Sequence, residues 1–430
     1  MSGATHLYVH VPFCEQRCDY CDFVSLAGRR DRHARYVEAL LAELKLELGT
    51  LAPELESVYL GGGTPTFLEP QALRRLLEGL PAAGELTVEA NPETVTAELA
   101  ELLVEAGVNR VSLGAQSFQP RLLEVLGRHA GPDEVRRAVA ILREAGVDNI
   151  SLDLLYGIPG QSGADLAADL DAALALAPEH LSCYELEAKP GTRFARAYGA
   201  ELAAQADALE DHLERIIERL PASGYRWYET ANFARVDGER DLRSATSDRN
   251  EDPSTGCDRW MRGKNAGSGR SSATGATEDI ASRRRARSGD GVLLFDARSK
   301  HNLGYWRGHD YLGIGIGAVS TLGDLRWKNA PSLARYFAAL EAGEKPPRET
   351  EALDEATKLR ERLMLGLRLD EPVAIAQVER VLDRGALARL SKLGLVESDG
   401  ESMTLSTRGR FLGGAVSAEL IVWPGDSLAA

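Results

Sequence analysis

Three cysteines, Cys14, Cys18 and Cys21 in VPFCEQRCDYCDF, stand on one short stretch at C-x3-C-x2-C spacing. Three thiolates so placed suit an iron–sulfur cluster, because soft sulfur matches iron. A four-iron cluster takes four ligands and this stretch supplies three, so one iron stays open to a small chelating molecule. Structural zinc is the competing reading, but its tetrahedron wants a fourth Cys or His at regular spacing. His10 and His33, the nearest imidazoles, do not fit that spacing. A disulfide does not suit three cysteines packed so closely. The cluster is the favoured reading.

Other residues with chemistry recur at one end of successive β-rich runs. Gly61-Gly62-Gly63-Thr64-Pro65 closes SVYLGGG, Glu89 and Asn91 close LTVEAN, and Gln116 closes NRVSLGAQ. Asp153 lies inside NISLDLLYG, and Glu185 and Glu187 close HLSCYELE. Glycine lets backbone groups approach a ligand, and a carboxylate inside an apolar run is costly unless it binds something. With HLYVHVPF these runs make six strands, at 6–13, 57–63, 86–91, 109–116, 149–157 and 180–187. Helical spacing marks 34–48, 96–107 and 131–146 between them. The alternation predicts βα units on a parallel sheet, with ligands at the C-terminal strand ends. Periodicity leaves a doubly wound sheet and a partial barrel both open.

The chain has 430 residues and a net charge of −15, which argues against nucleic acid as a partner. No apolar run reaches the roughly 18 residues of a membrane span, and MSGATHLYVHVPF reads as a first strand, not a leader. Five cysteines, three of them clustered, point to a reducing, cytoplasmic setting. Cys183 reads as a small buried hydrophobe; Cys257 is assigned no role. Residues 236–297 are rich in Ser, Gly, Arg and Asp and read as a disordered or weakly ordered insertion, its RRRAR run (283–287) as a solvated patch. Beyond about Pro331 the pattern is helical, ending in two short strands about SDG and a final helix, winged-helix-like. The acidic balance makes this a structural lobe closing one side of the barrel, not a DNA reader.

The segments LYVHVPFC and CDYCDF resemble the radical S-adenosylmethionine (SAM) superfamily. They are most similar to its branch of oxygen-independent coproporphyrinogen III oxidases and heme chaperones of the HemW type. The resemblance implies an α/β fold, a partial (β/α)6 barrel with a C-terminal helical domain. It divides the chain at 1–235 (barrel), 236–297 (insertion), 298–330 (barrel-completing segment) and 331–430 (C-terminal domain). It implies a 4Fe–4S cluster on Cys14, Cys18 and Cys21, whose open iron chelates SAM and can cleave it to a 5′-deoxyadenosyl radical. It also implies SAM contacts from Tyr8, Tyr20, Gly62, Gly63, Thr64, Glu89, Gln116, Arg128 and Asp153. Arg128, in LLEVLGRHA, also reads as a solvent-facing side chain, and Tyr8 and Tyr20 as core aromatics.

In HNLGYW, His301 sits beside Asn302, Tyr305 and Trp306. A buried, hydrogen-bonded histidine is the ordinary reading of such a residue. In the heme chaperones the equivalent segment is associated with heme, which makes His301 the candidate axial ligand. The oxidases usually carry a fourth cysteine two residues after the third, where this chain has Phe23. The resemblance therefore favours a heme chaperone that delivers heme to an acceptor protein, with the oxidase as alternative. An electron donor such as flavodoxin or ferredoxin is implied wherever SAM is cleaved. Peripheral membrane association is left open; a span is not expected.

Overall fold

The computed structural model describes residues 3–187, 189, 192–204, 206–237 and 295–423. It divides into two compact units, Met1–Arg235 with Ala297–Ala430, and Val236–Asp296. Most of the second unit, including Cys257 and the RRRAR run read above as part of a disordered insertion, lies outside the described residues.

Six parallel strands form the heart of the first unit: β1 (His6–Val11), β2 (Leu55–Gly62), β3 (Ala83–Ala90), β4 (Arg110–Gln116), β5 (Ile150–Tyr156) and β6 (His180–Glu185). They lie side by side in chain order, which is barrel topology and not the reversing order of a doubly wound sheet. Beyond β6 the edge is taken by an antiparallel hairpin, β7 (Tyr225–Glu229) and β8 (Asn232–Asp237). Beyond β1 comes β9 (Tyr311–Ile314), parallel to it, then the antiparallel strands β10 (Val319–Leu322), β11 (Leu325–Asn329) and β12 (Arg348–Ala352). The strand path stays open, so the barrel is partial.

The six strands alternate with period two. Leu7, Val9, Val58, Leu60, Val88, Val111, Leu113, Leu152 and Leu181 join helix residues such as Leu40, Leu73, Leu103 and Leu142 in one continuous core. The opposite face is polar: His6, Tyr8 and His10 on β1, Ser57 and Tyr59 on β2, Thr87 and Glu89 on β3, Ser112 on β4, Asp153 on β5, Ser182 on β6. The helices start where local chemistry allows. Pro132 sits in the first turn of α3 (Pro132–Glu144), the Glu134 carboxylate accepts the Gly131 N–H, and Ser162 caps α4 (Gly163–Ala175) in a capping box with Asp165.

One buried carboxylate braces α1 (His33–Glu47) against the strands that follow β9. Glu43, fully buried, accepts from Gly315 N (2.8 Å), Asn329 Nδ2 (2.7 Å) and Tyr336 Oη (2.6 Å). One turn on, Glu47 pairs with Lys345 at 3.0 Å and Arg348 at 2.5 Å.

The C-terminal domain has its own core of Leu363, Val378, Leu390, Met403 and Leu420. α5 (Glu355–Gly366) leads into a three-stranded antiparallel sheet, β13 (Val373–Ala374), β15 (Ser402–Leu405) and β14 (Val396–Ser398), with α6 (Arg384–Lys392) packed beside it. It docks on the β7–β8 hairpin: Arg410 donates to Trp227 O at 2.9 Å while stacking on the Trp227 ring, and Arg368 pairs with the buried Glu229. These arginines serve docking.

Glu43→Ala leaves Gly315 N and Tyr336 Oη without that acceptor and Asn329 Nδ2 with only Gly315 O. It is expected to cost about 3 kcal/mol, read as a lower urea midpoint at unchanged slope; a loss below about 0.5 kcal/mol would show that the brace is dispensable.

Candidate functional site

The cysteine loop begins where β1 runs out. Phe13 and Cys14 pair in parallel with Leu26 and Ala27, and Leu26 N donates to Pro12 O at 2.7 Å. The two feet of the loop are thus tied together, while Cys18 and Cys21 share a tight turn through Cys21 N to Cys18 O at 3.1 Å. His10 holds the returning strand. Its Nε2 lies 2.8 Å from Val24 O and its Nδ1 3.1 Å from Tyr8 Oη. The ring packs against Gly62, whose φ is +112° and where any Cβ would collide with the imidazole. At Gly63 a Cβ would stand 2.7 Å from Phe13 O and 2.9 Å from Cys14 Sγ. The glycines are demanded by the histidine and the first cysteine.

A chain of polar contacts joins two of the cysteines across the strand ends. Cys14 hydrogen-bonds Thr64. Thr64 Oγ1 accepts from Asn91 Nδ2 at 2.9 Å, and Asn91 Oδ1 accepts from Arg128 Nη2 at 2.9 Å. Arg128 also donates to Gly114 O at 3.0 Å, and its Nη1 lies 3.6 Å from Cys18 Sγ. The solvent-facing alternative for Arg128 fails: its guanidinium is half-buried in a contact between two loops. Burial pushes the Cys14 thiol up to about 11, partly offset by Thr64, and raises the Cys21 thiol also. Without a metal these sulfurs hold their protons, and a metal would displace them.

Gln116 sits at φ +64° at the end of β4, where the strand bulges between Gly114 and Gln116 against Asp153 and Leu154 of β5. For a non-glycine residue this is a backbone position held against its preference, and it lays the side-chain amide on Gly114, where a Cβ would stand 2.8 Å from Gln116 Nε2. Glu89 accepts from Tyr59 Oη (2.8 Å) and Gly62 N (3.0 Å). Burial, then the nearby Asp153 charge, push its carboxyl up to about 7. Asp153 takes hydroxyl bonds from Ser112, at 3.1 and 3.2 Å, and from Ser151 and Ser182. Its cost inside an apolar run is met by serines of this chain. Tyr20 packs edge-on to Phe194 at 6.4 Å. Beside the loop a cleft of about 460 Å³ is lined by Gln16, Arg17, Asp19, Arg128, His129 and Arg193.

His301 lies elsewhere, on a short helix, Lys300–Trp306, whose first turn Ser299 caps. It is 1% exposed, its Nδ1 is 2.8 Å from Ser57 Oγ and its Nε2 3.0 Å from Tyr305 Oη. The ring stacks on Tyr59 at 5.0 Å, and burial pushes its pKa down to about 3. Both nitrogens are engaged, so this state presents neither to a heme iron. The ordinary reading describes it.

The cysteines can be tested against the metals they suit. Among the described residues, the one trio of His, Cys, Asp or Glu whose ligand atoms all lie within 4.8 Å of one another is His6, Glu56 and His309. At least one pair of the three sulfurs therefore stands more than 4.8 Å apart, beyond the edge of about 3.8 Å that zinc–sulfur bonds of about 2.3 Å require. As placed, the three thiols do not close on a single zinc ion. His10 and the three serines were not singled out as ligands or positioning groups from the sequence, and Asn91 was named only among the polar strand ends, without a partner. His10 stands four residues before Cys14 and Asn91 at a strand end, and those were the available signals.

Glu89 supplies a pH test. Its carboxyl is raised from 4.5 to about 7, so the folded state prefers the protonated form. Its contribution to stability is full below about pH 4.5 and is lost as pH rises to about 7. Glu89→Gln is expected to flatten that fall, measured by urea denaturation across the range; an unchanged profile would assign the fall to other groups.

A model of the radical SAM superfamily matches residues 8–173, and one of the HemN C-terminal domain matches 353–412. A heme chaperone HemW of Mycobacterium tuberculosis is 32% identical over 96% of this chain and 94% of its own length. One of Escherichia coli is 34% identical over 73% of this chain and 68% of its own. An oxygen-independent coproporphyrinogen III oxidase of Pseudomonas aeruginosa is 28% identical over 94% and 83%. The solved coproporphyrinogen III oxidase HemN of Escherichia coli superposes with a TM-score of 0.70 at 23% identity, covering 97% of this chain and 90% of that one, and so shares the fold. With its sequence aligned almost end to end to such relatives, the chain belongs to the radical SAM superfamily, in the family of HemW and the oxygen-independent coproporphyrinogen III oxidases.

Proposed function

We propose that this chain is a heme chaperone of the HemW type, binding a 4Fe–4S cluster, SAM and heme and passing heme to an acceptor protein in the cytoplasm. The observation that carries the cofactor part is the convergence of three thiols on one short loop, glycine backbone and polar strand ends at one rim. Cys14, Cys18 and Cys21 would hold the cluster. When bound, such a cluster offers SAM an open iron and an electron. The residues around it have separable tasks. Gly62 and Gly63 leave backbone room beside Cys14. Thr64, Asn91 and Arg128 fix the loop against the strand ends, and Arg128 sets a positive charge beside Cys18. Glu89, Gln116 and Asp153 supply acceptors and donors below the rim, with Tyr8 and Tyr20 as flanking aromatics.

The heme part rests on the names of the relatives and on Phe23, which is 65% exposed where the oxidases usually carry a cysteine. Ligation by His301 requires the bonds to Ser57 and Tyr305 to break. The oxidase is the second reading, favoured by the similarity to the Pseudomonas enzyme along 94% of this chain. Either use of SAM needs an electron donor of the flavodoxin or ferredoxin class.

Cys18→Ser is expected to abolish cluster absorption after anaerobic reconstitution; an intact spectrum would remove the assignment. His301→Ala is expected to leave the cluster and weaken heme binding, so an unchanged heme titration excludes His301 as ligand. Incubating the reconstituted protein with reductant, SAM and coproporphyrinogen III decides between the readings: the chaperone yields no protoporphyrinogen, the oxidase does.

A further inference from the structure

The other end of the barrel carries a cluster that this reading leaves unused. His6 opens β1, Glu56 is the second residue of β2, and His309 lies two residues before β9. All three stand at N-terminal strand ends. His6 Nε2 is 3.1 Å from His309 Nδ1, and the Glu56 carboxylate completes the trio within 4.8 Å. Tetrahedral ligands on bonds of about 2.0–2.1 Å stand about 3.3 Å apart, so the two imidazole nitrogens already have near the spacing of a shared cation. His6 is buried, whereas Glu56 is exposed and can close the remaining gap by side-chain torsion. A Cβ at residue 304 would lie 2.5 Å from the same His6 Nε2; glycine leaves that nitrogen room.

The groups behind His6 are arranged as a ligating histidine needs. Ser57 Oγ lies 2.8 Å from His6 Nδ1 and 2.8 Å from His301 Nδ1, and His301 Nε2 lies 3.0 Å from Tyr305 Oη. The one hydroxyl proton of Ser57 serves only one of the two imidazoles, so the chain has two proton orders. In the first, Tyr305 donates to His301, His301 to Ser57, Ser57 to His6, and His6 donates from Nε2 to His309. In the second every donor reverses, with no net gain or loss of protons. His6 then donates from Nδ1 to Ser57 and turns a bare Nε2 toward His309. A ligating histidine whose other N–H is held by an oriented acceptor is the usual outer-shell arrangement.

We infer that His6, His309 and Glu56 form a binding site for a divalent transition-metal ion of the zinc class, and that filling it selects the second proton order, ending on Tyr305. Two imidazoles and one carboxylate suit zinc or cobalt and not magnesium or calcium. The N-terminal strand ends are the face of a barrel that serves stability, so the ion's work is to tie the segment before β9 to β1 and β2.

The test uses protein whose three loop cysteines are occupied by reconstituted cluster, or alkylated where the cluster does not form, so that thiolates do not compete. Co2+ is titrated anaerobically and then displaced with Zn2+. The expected result is one equivalent of Co2+ with ligand-field bands and no sulfur-to-cobalt charge transfer, lost on adding Zn2+. His309→Ala is expected to weaken binding by more than the roughly 10–100-fold typical of outer-shell changes, and Glu56→Gln, a surface change, to weaken it less. Zn2+ is also expected to raise the melting temperature of the parent protein and not of His309→Ala. Absence of saturable binding, a thiolate spectrum, or equal affinity in His309→Ala would each overturn the site and leave a plain imidazole–imidazole hydrogen bond.

Discussion

Polar side chains on the helix-free face of six adjoining strands need partners there, because the other face is committed to the apolar core; Thr87, whose hydroxyl has none, is an exception. That constraint organises the molecule. Unpaired polar groups away from water cost about 1–3 kcal/mol each, and this face answers with cross-strand pairs: Tyr59 with Glu89, Ser112 with Asp153, Ser151 with His180, His6 with Ser57. Adjacent strands in chain order make such pairs available at matching depth, since each register pairing sets the next. The pairs run from the rim under the cysteine loop to the histidines at the far end, so the interior is one hydrogen-bonded surface and not an oily plug.

The cysteine loop depends on that surface at one contact. His10 is the last polar residue of β1 on this face, and its ring bridges Tyr8 to Val24 on the returning loop. The ring occupies the space where residue 62 would carry a side chain, and the left-handed backbone there follows from the same crowding. Gly63 then leaves room for Cys14. Loop, strand end and glycine turn are one steric unit, and the Thr64–Asn91–Arg128 chain extends it to Cys18.

Much of this was legible in the residues. All six strands overlap the β-rich runs, β1 at 6–11 inside 6–13 and β5 at 150–156 inside 149–157, while β2 and β3 begin two and three residues ahead of the runs at 57 and 86. The polar strand ends were also visible, since a carboxylate in an apolar run stands out. What the sequence hid is pairing. Nothing local says that Asp153 meets Ser112, forty-one residues earlier, or that Arg128 turns inward to Asn91. The alternation down each strand also reached deeper than the ends: Ser57 and Thr87 read as ordinary strand residues until neighbouring strands set them on a common face. His301 shows the limit from the other side, since its segment suggests chemistry and its surroundings satisfy both nitrogens.

The same constraint gives the interior a bias. Burial raises the carboxyls of Glu89 and Asp153 and lowers the imidazoles of His6, His10 and His301. All five shifts favour the neutral form, because desolvation is the largest cause at each; the buried Arg110 offsets it at Asp153 and adds to it at His301. Two neighbouring carboxyls poised in this way respond strongly to any cation placed beside them. A positive ligand lowers both pKa values, releases protons, and converts a cost of burial into attraction. An anionic ligand raises them further and gains nothing. The rim cleft carries Arg17, Arg128 and Arg193 beside Asp19 and Glu124, and with Arg193 paired to Asp19 at 3.4 Å its cations nearest the cysteine loop are Arg17 and Arg128. A molecule with a carboxylate at one end and a positive centre at the other therefore meets matching charge at both depths, and that polarity follows from residues of this chain alone.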